Sequence, residues 1–334
     1  MLTLSIQRTT AAALLAAAAM ALSGCGSVFD DLEPCPTAAE MRFVYEYHLE
    51  QGNAFPAQVD CLTLHIYDAD GQFVETHDVT GPELADENWR MRLDLPAGRY
   101  HAVAYGGIAC ADASFAHVPE PADGSRYTDI SMQLLSSHVG KRLHDHFHGA
   151  LDFTVSDGTD GTDRVTMYMT KTTNHLRVLL QNLDGTPCDG RDFDITVSDD
   201  NSVLDCRNNP VAGRPVVYNT WTSGQLVIED DDARAGGAEP VTLGYAELST
   251  SRIMMGGPSR IRIYSHKAGR VIAELPLALY LSMGKSDADP WGSQEYLDRC
   301  SRWNLTFFLD HNNSWHKAYI VVNGWTVRIN NTDF

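Results

Sequence analysis

The chain has 334 residues, 43% of them hydrophobic and 21% charged, which excludes a disordered, collagen-like or multi-span membrane protein. At roughly 150 residues per domain, the length predicts two domains. Lys and Arg total 25 against 44 Asp and Glu, and the formal charge of −19 repels phosphate backbones and anionic lipid, so no nucleic acid is expected as a partner.

The first feature in chain order is an uncharged apolar run over residues 9–22, preceded by Arg8. It is shorter than the roughly 20 residues that cross a bilayer, and small residues follow it, as in a secretory signal. The tetrapeptide Leu22-Ser23-Gly24-Cys25 resembles the lipobox of bacterial lipoproteins, in which the cysteine thiol receives diacylglycerol and becomes the new N-terminus. Residues 1–24 are then a signal peptide, and acyl chains on Cys25 attach the protein to membrane lipid without a spanning helix. Position 26 is Gly, not the Asp that retains lipoproteins at the inner membrane. Asp30, Asp31 and Glu33 resemble an acidic surface-export tether within a segment, 25–40, that also reads as a solvated linker.

Removing residues 1–24 leaves 24 basic and 44 acidic residues and six further cysteines: Cys35, Cys61, Cys110, Cys188, Cys206 and Cys300. An exported chain with an even count can form disulfides, and six cysteines allow 15 complete pairings. Cys188 and Cys206 flank one compact segment and make the best single pair. No C-x-x-C occurs, so neither a zinc ribbon nor a thioredoxin-like site is supported.

From there the chain reads as β structure. Strand-length apolar or alternating stretches recur at 41–47, 61–67, 99–105, 150–155, 165–169, 176–180, 192–197, 261–264, 305–309 and 319–322. Asp70-Gly71, Asp184-Gly185 and Asn323-Gly324 supply turns, the last two between strand-like runs, and Asn323-Gly324 suits a type I′ hairpin. Helices are expected only at 293–302, after Pro290, and around 131–139. Short strands with frequent turns predict sandwiches. The run Leu93-Asp94-Leu95-Pro96-Ala97-Gly98-Arg99-Tyr100 sets a tight turn before a strand whose Tyr100, Ala102 and Ala104 share a face; it resembles a turn of transthyretin-like seven-strand sandwiches. The turn-rich stretch 157–163 is the expected boundary between an N-terminal domain, 41–160, and a C-terminal one, 161–334. Its Asp157, Asp160 and Asp163 could offer oxygens to calcium, although a solvated linker is the commoner use of such a run. Residues 229–232, Glu-Asp-Asp-Asp, read as an exposed acidic loop.

His144, His146 and His148 are the sharpest candidates for chemistry. On a strand an H-x-H-x-H run turns all three imidazoles to one face, as zinc or copper ligation needs, but chance surface histidines do the same. There is no G-x-S-x-G, H-E-x-x-H or phosphate loop, so no catalytic residue and no cofactor is assigned. Trp89, Trp221, Trp291, Trp303, Trp315 and Trp325 could include a sugar-stacking platform, against the commoner reading of core packing.

Three blocks resemble the FimB-type fimbrial anchor subunits of Bacteroidales, lipoproteins at the base of type V pili. The first holds Asp31-Leu32-Glu33-Pro34-Cys35-Pro36, then Arg42-Phe43-Val44-Tyr45-Glu46-Tyr47, Asn53-Ala54-Phe55-Pro56 and Val59-Asp60-Cys61-Leu62-Thr63-Leu64. The second is Thr173-Asn174-His175-Leu176-Arg177-Val178-Leu179-Leu180-Gln181-Asn182-Leu183. The third is Tyr296-Leu297-Asp298-Arg299, Leu305-Thr306-Phe307-Phe308-Leu309-Asp310 and Val322-Asn323-Gly324-Trp325.

The resemblance implies an all-β chain of two tandem transthyretin-like sandwiches and a non-enzymatic role. It also implies lipid attachment at the outer membrane, partnership with a fimbrial shaft subunit (a fimbrillin) and help in limiting fimbrial length. Open sheet edges would take a partner's strand by β-augmentation, and the edges expected are 42–47 and 324–330. From Cys25 to Met41 there is no Lys or Arg, so the basic cleavage point at which polymerising fimbrillins lose their first strand is missing. That departure fits a subunit that keeps its lipidated end. The alternative is a surface glycan-binding lipoprotein of a polysaccharide-uptake system.

Overall fold

The computed structural model describes residues 38–157, 162–228, 241–310, 312, 314–315 and 319–328. The first half carries β1 (Ala39–Val44), β2 (Leu62–Asp68), β3 (Phe73–Val79), β4 (Met91–Leu93), β5 (Gly98–Gly106), β6 (Phe115–His117), β7 (Ser131–Leu134), β8 (Phe147–Val155), β9 (Asp163–Tyr168) and β10 (Thr170–Lys171), with a short helix α1 (Phe55–Gln58). The second half carries β11 (Asn174–Asn182), β12 (Phe193–Asp199), β13 (Val203–Asp205), β14 (Val216–Asn219), β15 (Thr222–Ile228), β16 (Val241–Thr250), β17 (Arg260–Ser265), β18 (Arg270–Pro276), β19 (Arg302–Leu309), β20 (Tyr319–Val322) and β21 (Trp325–Arg328). Two further helices, α2 (Leu277–Ser282) and α3 (Ser293–Arg299), lie between β18 and β19. No helix among the described residues is long and apolar enough to cross a membrane.

The strands form two sandwiches with one shared plan. In the first half, sheet β4-β1-β9 faces β10-β8-β5-β2-β3; in the second, β15-β16-β11-β19-β20-β21 faces β14-β12-β17-β18. With β6, β7 and β10 of the first half and β13, β15, β20 and β21 of the second set aside, each half retains seven strands which, renumbered, stand in the orders 4-1-7 and 6-5-2-3, with the first and seventh parallel: β1 with β9, and β11 with β19. All ten predicted strand stretches overlap strands of these sheets, although 41–47 runs three residues past the end of β1. The second sandwich extends its 4-1-7 sheet at both ends, by β15 and by the β20–β21 hairpin.

Alternation in the sequence decides which side chains fill the cores. On β12, Phe193, Ile195 and Val197 point inward and Asp194 outward; on β19, Trp303, Leu305, Phe307 and Leu309 do the same opposite Leu176, Val178 and Leu180 of β11. The Trp303 indole N–H donates to Asn174 Oδ1 at 3.0 Å, so its polar end is satisfied inside the core. Tyr100 faces the first core with Ala102 and Ala104, and its hydroxyl donates to the Pro96 carbonyl at 2.8 Å, tying the Pro96–Gly98 turn to the strand it launches.

β2 is buried along almost its whole length, with no alternation, because both of its faces are covered. Leu62, Leu64 and Ile66 face the first core. Its other face lies under a small sheet, β13-β7-β6, in which β13 of the second half pairs with β7 of the first, and β7 in turn with β6. This bridge encloses a third cluster of Val103, Tyr105, Ile130, Met132, Leu204 and Cys206 and joins the two halves.

Three local expectations change. β9 pairs with β1 along its length, and Met167 and Met169 belong to the first core, so the division between sandwiches falls past Lys171 instead of at 160/161. The 131–139 stretch is strand β7 followed by a 3-10 turn at Ser136–His138, since Met132 and Leu134 alternate with Ser131 and Gln133. The helix expected at 293–302 ends at Arg299, because Arg302 already opens β19. The turns follow their chemistry: Asn323 and Gly324 have φ of 47° and 85° between β20 and β21, as a type I′ hairpin requires. Asp184-Gly185 instead hands the chain from one sheet to the other.

Candidate functional site

Cys25 and the acids Asp30, Asp31 and Glu33 lie outside the described residues, as do Cys35, Asp160 and the acidic run 229–232. What the structure describes are the strand edges, cysteines and histidines of the two sandwiches. The 42–47 stretch is not a free edge: β1 is the middle strand of its sheet, with β4 on one side over Ala39–Met41 and β9 on the other to Val44. Its apolar side chains are needed inside, where Phe43 stacks on Phe55 and Trp89. The 324–330 stretch does supply an edge, β21, which pairs only with β20 among the described residues. Further edge strands went unpredicted, two of them at the ends of the sheets that hold β1 and β11. One is β15, with Leu226, Val227 and Ile228 exposed. The other is the outer side of β9, the position that β20 covers in the second sandwich; no described strand covers it in the first.

The cysteines pair otherwise than expected. Cys61 and Cys110 form the disulfide, with Cα atoms 5.5 Å apart, while Cys188 and Cys206 are free, buried thiols in different clusters, the first in the core of the second sandwich and the second under the bridging sheet. Sequence proximity misled, because the chain between them crosses from one cluster to the other. Burial pushes the thiols of Cys188 and Cys300 up to about 11 and also raises that of Cys206, so none is reactive. The disulfide closes a loop of 49 residues. Replacing both partners by Ala is expected to cost about 2–4 kcal/mol, read as a lower urea midpoint, and an unchanged midpoint would contradict a constraining role.

His144, His146 and His148 do not act together. His144 precedes β8 and lies between Asp60 and Asp112, each 3.1 Å from one of its ring nitrogens. His146 Nδ1 shares a hydrogen bond with Thr172 Oγ1, and His148 donates from Nε2 to the Cys206 carbonyl at 3.0 Å, reaching the second half. Asp60, Cys61, Cys110 and His144 bring their ligand atoms within 4.8 Å of one another, but the two sulfurs are spent in the disulfide.

His146 and His148 instead join a buried aromatic cluster beneath the bridging sheet. Tyr105 lies between 5.2 and 6.1 Å, ring centre to ring centre, from His65, His117, His146 and His148. His65 Nε2 and His117 Nε2 are 2.9 Å apart, a contact in which one ring must be an acceptor, so the pair cannot be doubly protonated. Burial drives all four imidazoles down, His65 and His146 to about 3, His117 and His148 to about 4, with neighbouring histidines adding repulsion at His65 and His146. They are neutral packing groups at physiological pH.

Beside this cluster an ionic relay crosses between the halves. The Lys171 side chain is 1% exposed, and its Nζ donates to Asp145 Oδ2 at 2.6 Å. The other carboxylate oxygen takes His175 Nε2 at 2.7 Å, and His175 Nδ1 meets Ser249 Oγ at 3.0 Å. Burial alone would raise the Asp145 pKa, but the His175 hydrogen bond and the Lys171 charge outweigh it and hold the carboxyl well below the usual range. Lys171 is itself lowered by burial, against the pull of Asp145. Gly107, at φ 93°, permits the approach, since a Cβ there would overlap the Asp145 carbonyl oxygen. Further along, Arg299 of α3 lies 4.1 Å from the centre of the Tyr47 ring and 4.9 Å from that of Trp291, and Arg252 makes a two-bond pair with Asp298.

The described residues thus form two sandwiches of one plan, joined by the bridging sheet and the cluster beneath it, with several unpaired strand edges. The sequence profile described as Mfa2, "Fimbrillin-A associated anchor proteins Mfa1 and Mfa2", matches residues 32–331. The chain belongs to this fimbrial anchor family. A candidate adhesin of Bacteroides thetaiotaomicron VPI-5482 is 42% identical with a TM-score of 0.83, the match covering 90% of this chain and 100% of that one. A candidate polysaccharide-binding protein of the same organism is 25% identical, with a TM-score of 0.74 over 88% of this chain and 99% of its own. The fimbrial anchor protein Mfa2 of Porphyromonas gingivalis shares the fold at 15% identity and a TM-score of 0.62, over 89% and 100% of the two chains. Comparison with curated protein sequences found no match. Family membership brings a structural, cell-surface role in association with fimbrial subunits.

His65, His117, Tyr105, Asp145 and Lys171 were missed in the sequence. The signal available was weak: polar residues at alternate positions of strands whose other face is apolar, as with His65 between Leu64 and Ile66. It does not say what covers the second face.

Proposed function

We propose that the protein is an outer-membrane lipoprotein, acylated at Cys25 and exposed at the cell surface, that holds the base of a fimbrium and helps limit its length. The family match across residues 32–331 carries this reading. The lipobox at residues 22–25 supports the attachment, and the absence of Lys or Arg from Cys25 to Met41 supports a subunit that retains its N-terminus. The contact with the shaft subunit is β-strand complementation, and each sandwich is transthyretin-like. The outer edge of β9 and the edge strand β21 are the best-placed acceptors, since unpaired backbone N–H and C=O groups there can bond an added strand. The role is non-enzymatic.

The test is cross-linking on intact producing cells, followed by affinity capture and mass spectrometry. A fimbrillin-like shaft protein is expected from the wild type. With Cys25→Ala, the protein should leave the membrane fraction and the shaft protein should no longer be held to cells. Recovery of glycan-uptake components alone, or of no partner despite surface exposure, would overturn the reading.

A further inference from the structure

A groove of about 500 Å³ opens on the outer face of the six-stranded sheet, in the size range of small-ligand sites. Its floor is a lattice of polar side chains. His175 and Arg177 alternate on β11, while Arg302 and Asn304 stand beside them on β19 in parallel register, and Glu247 faces Arg177 from β16. Neighbouring strands are about 4.8 Å apart, so these groups share one patch. Trp221, half-buried, forms a wall, its backbone N–H fixed on the Glu247 carbonyl at 2.9 Å, and Arg142 of the first half closes the groove from the other side.

The charges do not balance. Arg177 is bound to Glu247, at 2.6 Å, and His175 to Asp145. The guanidinium groups of Arg142 and Arg302 make no ion pair or hydrogen bond among the described residues. Both act on the buried Lys171, each lowering its pKa against the pull of Asp145, and three arginines line the groove against the single carboxylate of Glu247. In a chain of formal charge −19 that is a local reversal of sign. The floor also excludes an added strand: the backbone groups of β11 and β16 are already paired on both sides. A ligand here is read by side chains alone.

We propose that this groove binds an acidic saccharide, its carboxylate held by Arg142 and Arg302 and a pyranose face laid against Trp221. Guanidinium groups match carboxylates in two-bond geometry, an indole face packs on sugar C–H groups, and Asn304 is free to bond hydroxyls. The inference does not depend on the shaft contact, which lies at other strands.

The test is titration of the full-length protein lacking only its signal peptide, with Cys25→Ala for solubility, by calorimetry and tryptophan fluorescence. The probes are tetragalacturonate, neutral galactotetraose, inorganic phosphate and a tetraglutamate peptide. Tetragalacturonate should bind and weaken with added salt, while the neutral sugar should bind at least about tenfold more weakly. Arg302→Ala and Arg142→Ala should each lower affinity about tenfold or more, while leaving the urea midpoint unchanged, because neither guanidinium holds the fold. Absence of tetragalacturonate binding at millimolar concentration, or affinity unchanged in both variants, would overturn the proposal. So would phosphate or tetraglutamate binding as tightly as the uronide, which would make the groove a plain anion site or a peptide site.

Discussion

Acidification from pH 7.5 to 4.5 is expected to remove most of the protein's stability, and the reason lies beneath the bridging sheet. His65, His117, His146 and His148 titrate at about 3 to 4 in the folded chain, against about 6.5 when unfolded. Between those values the unfolded chain binds more protons than the folded one, so stability is present above pH 6.5 and is lost as the pH falls toward 4. Asp199 opposes this. Burial raises its carboxyl to about 6, so below that pH the folded state takes up a proton that the unfolded state refuses until about 3.8. Four histidines against one aspartate leave about three protons, or about 4 kcal/mol per pH unit. A domain of ordinary stability, about 5–15 kcal/mol, would survive only two or three such units. The check is the urea midpoint across this pH range. His117→Gln should flatten the slope by about one proton. A midpoint constant between pH 7.5 and 5 would show that the cluster is not buried as described.

The second large effect is expected from Asp145→Ala at neutral pH. It leaves the Lys171 ammonium, 1% exposed, without its carboxylate, and it frees His175 from the first sandwich. Removing one partner of a buried ion pair typically costs about 3–5 kcal/mol. Lys171 would then shed its proton more readily. Its folded pKa is already depressed, so the unfolded chain binds more protons and the variant should regain stability as pH rises. Adding Lys171→Met should restore much of the loss, because an apolar side chain of similar length replaces the stranded charge. Urea denaturation of the two variants at pH 7.5 and pH 9 measures both effects. A loss below about 1 kcal/mol in Asp145→Ala would show that the relay is solvated and not structural. The relay and the histidine cluster both span the join between the halves, so each perturbation should also loosen the contact between the two sandwiches.

Much of the fold was legible beforehand, for reasons that differ between elements. The strands at 192–197 and 305–309 announce themselves through alternation, since one face meets a core and the other meets water. The Pro96–Gly98 and Asn323–Gly324 turns follow from backbone preferences carried by two or three residues. β3, Phe73–Val79, alternates as cleanly in its burial and was overlooked, while β16, Val241–Thr250, hides behind a Gly and a Glu that its neighbours accommodate. The disulfide and the true sheet edges were not readable. Cys61 and Cys110 meet because β2 lies beside β5, and β1 loses its free edge because β9, over 120 residues later, returns to pair with it.

By itself, then, the sequence determined what is local: the β class, the turns, the strand faces, the apolar run before Cys25 and the acidic balance of charge. These depend on side-chain period, backbone preference and composition within a few residues. The tertiary structure alone decided which sulfurs join, which edges stay open, that four histidines share a dry cluster, and that two arginines stand unpaired around one groove. Each of those depends on strands distant in the chain being brought into register, and the free energy of that pairing belongs to the whole sandwich and to no single segment.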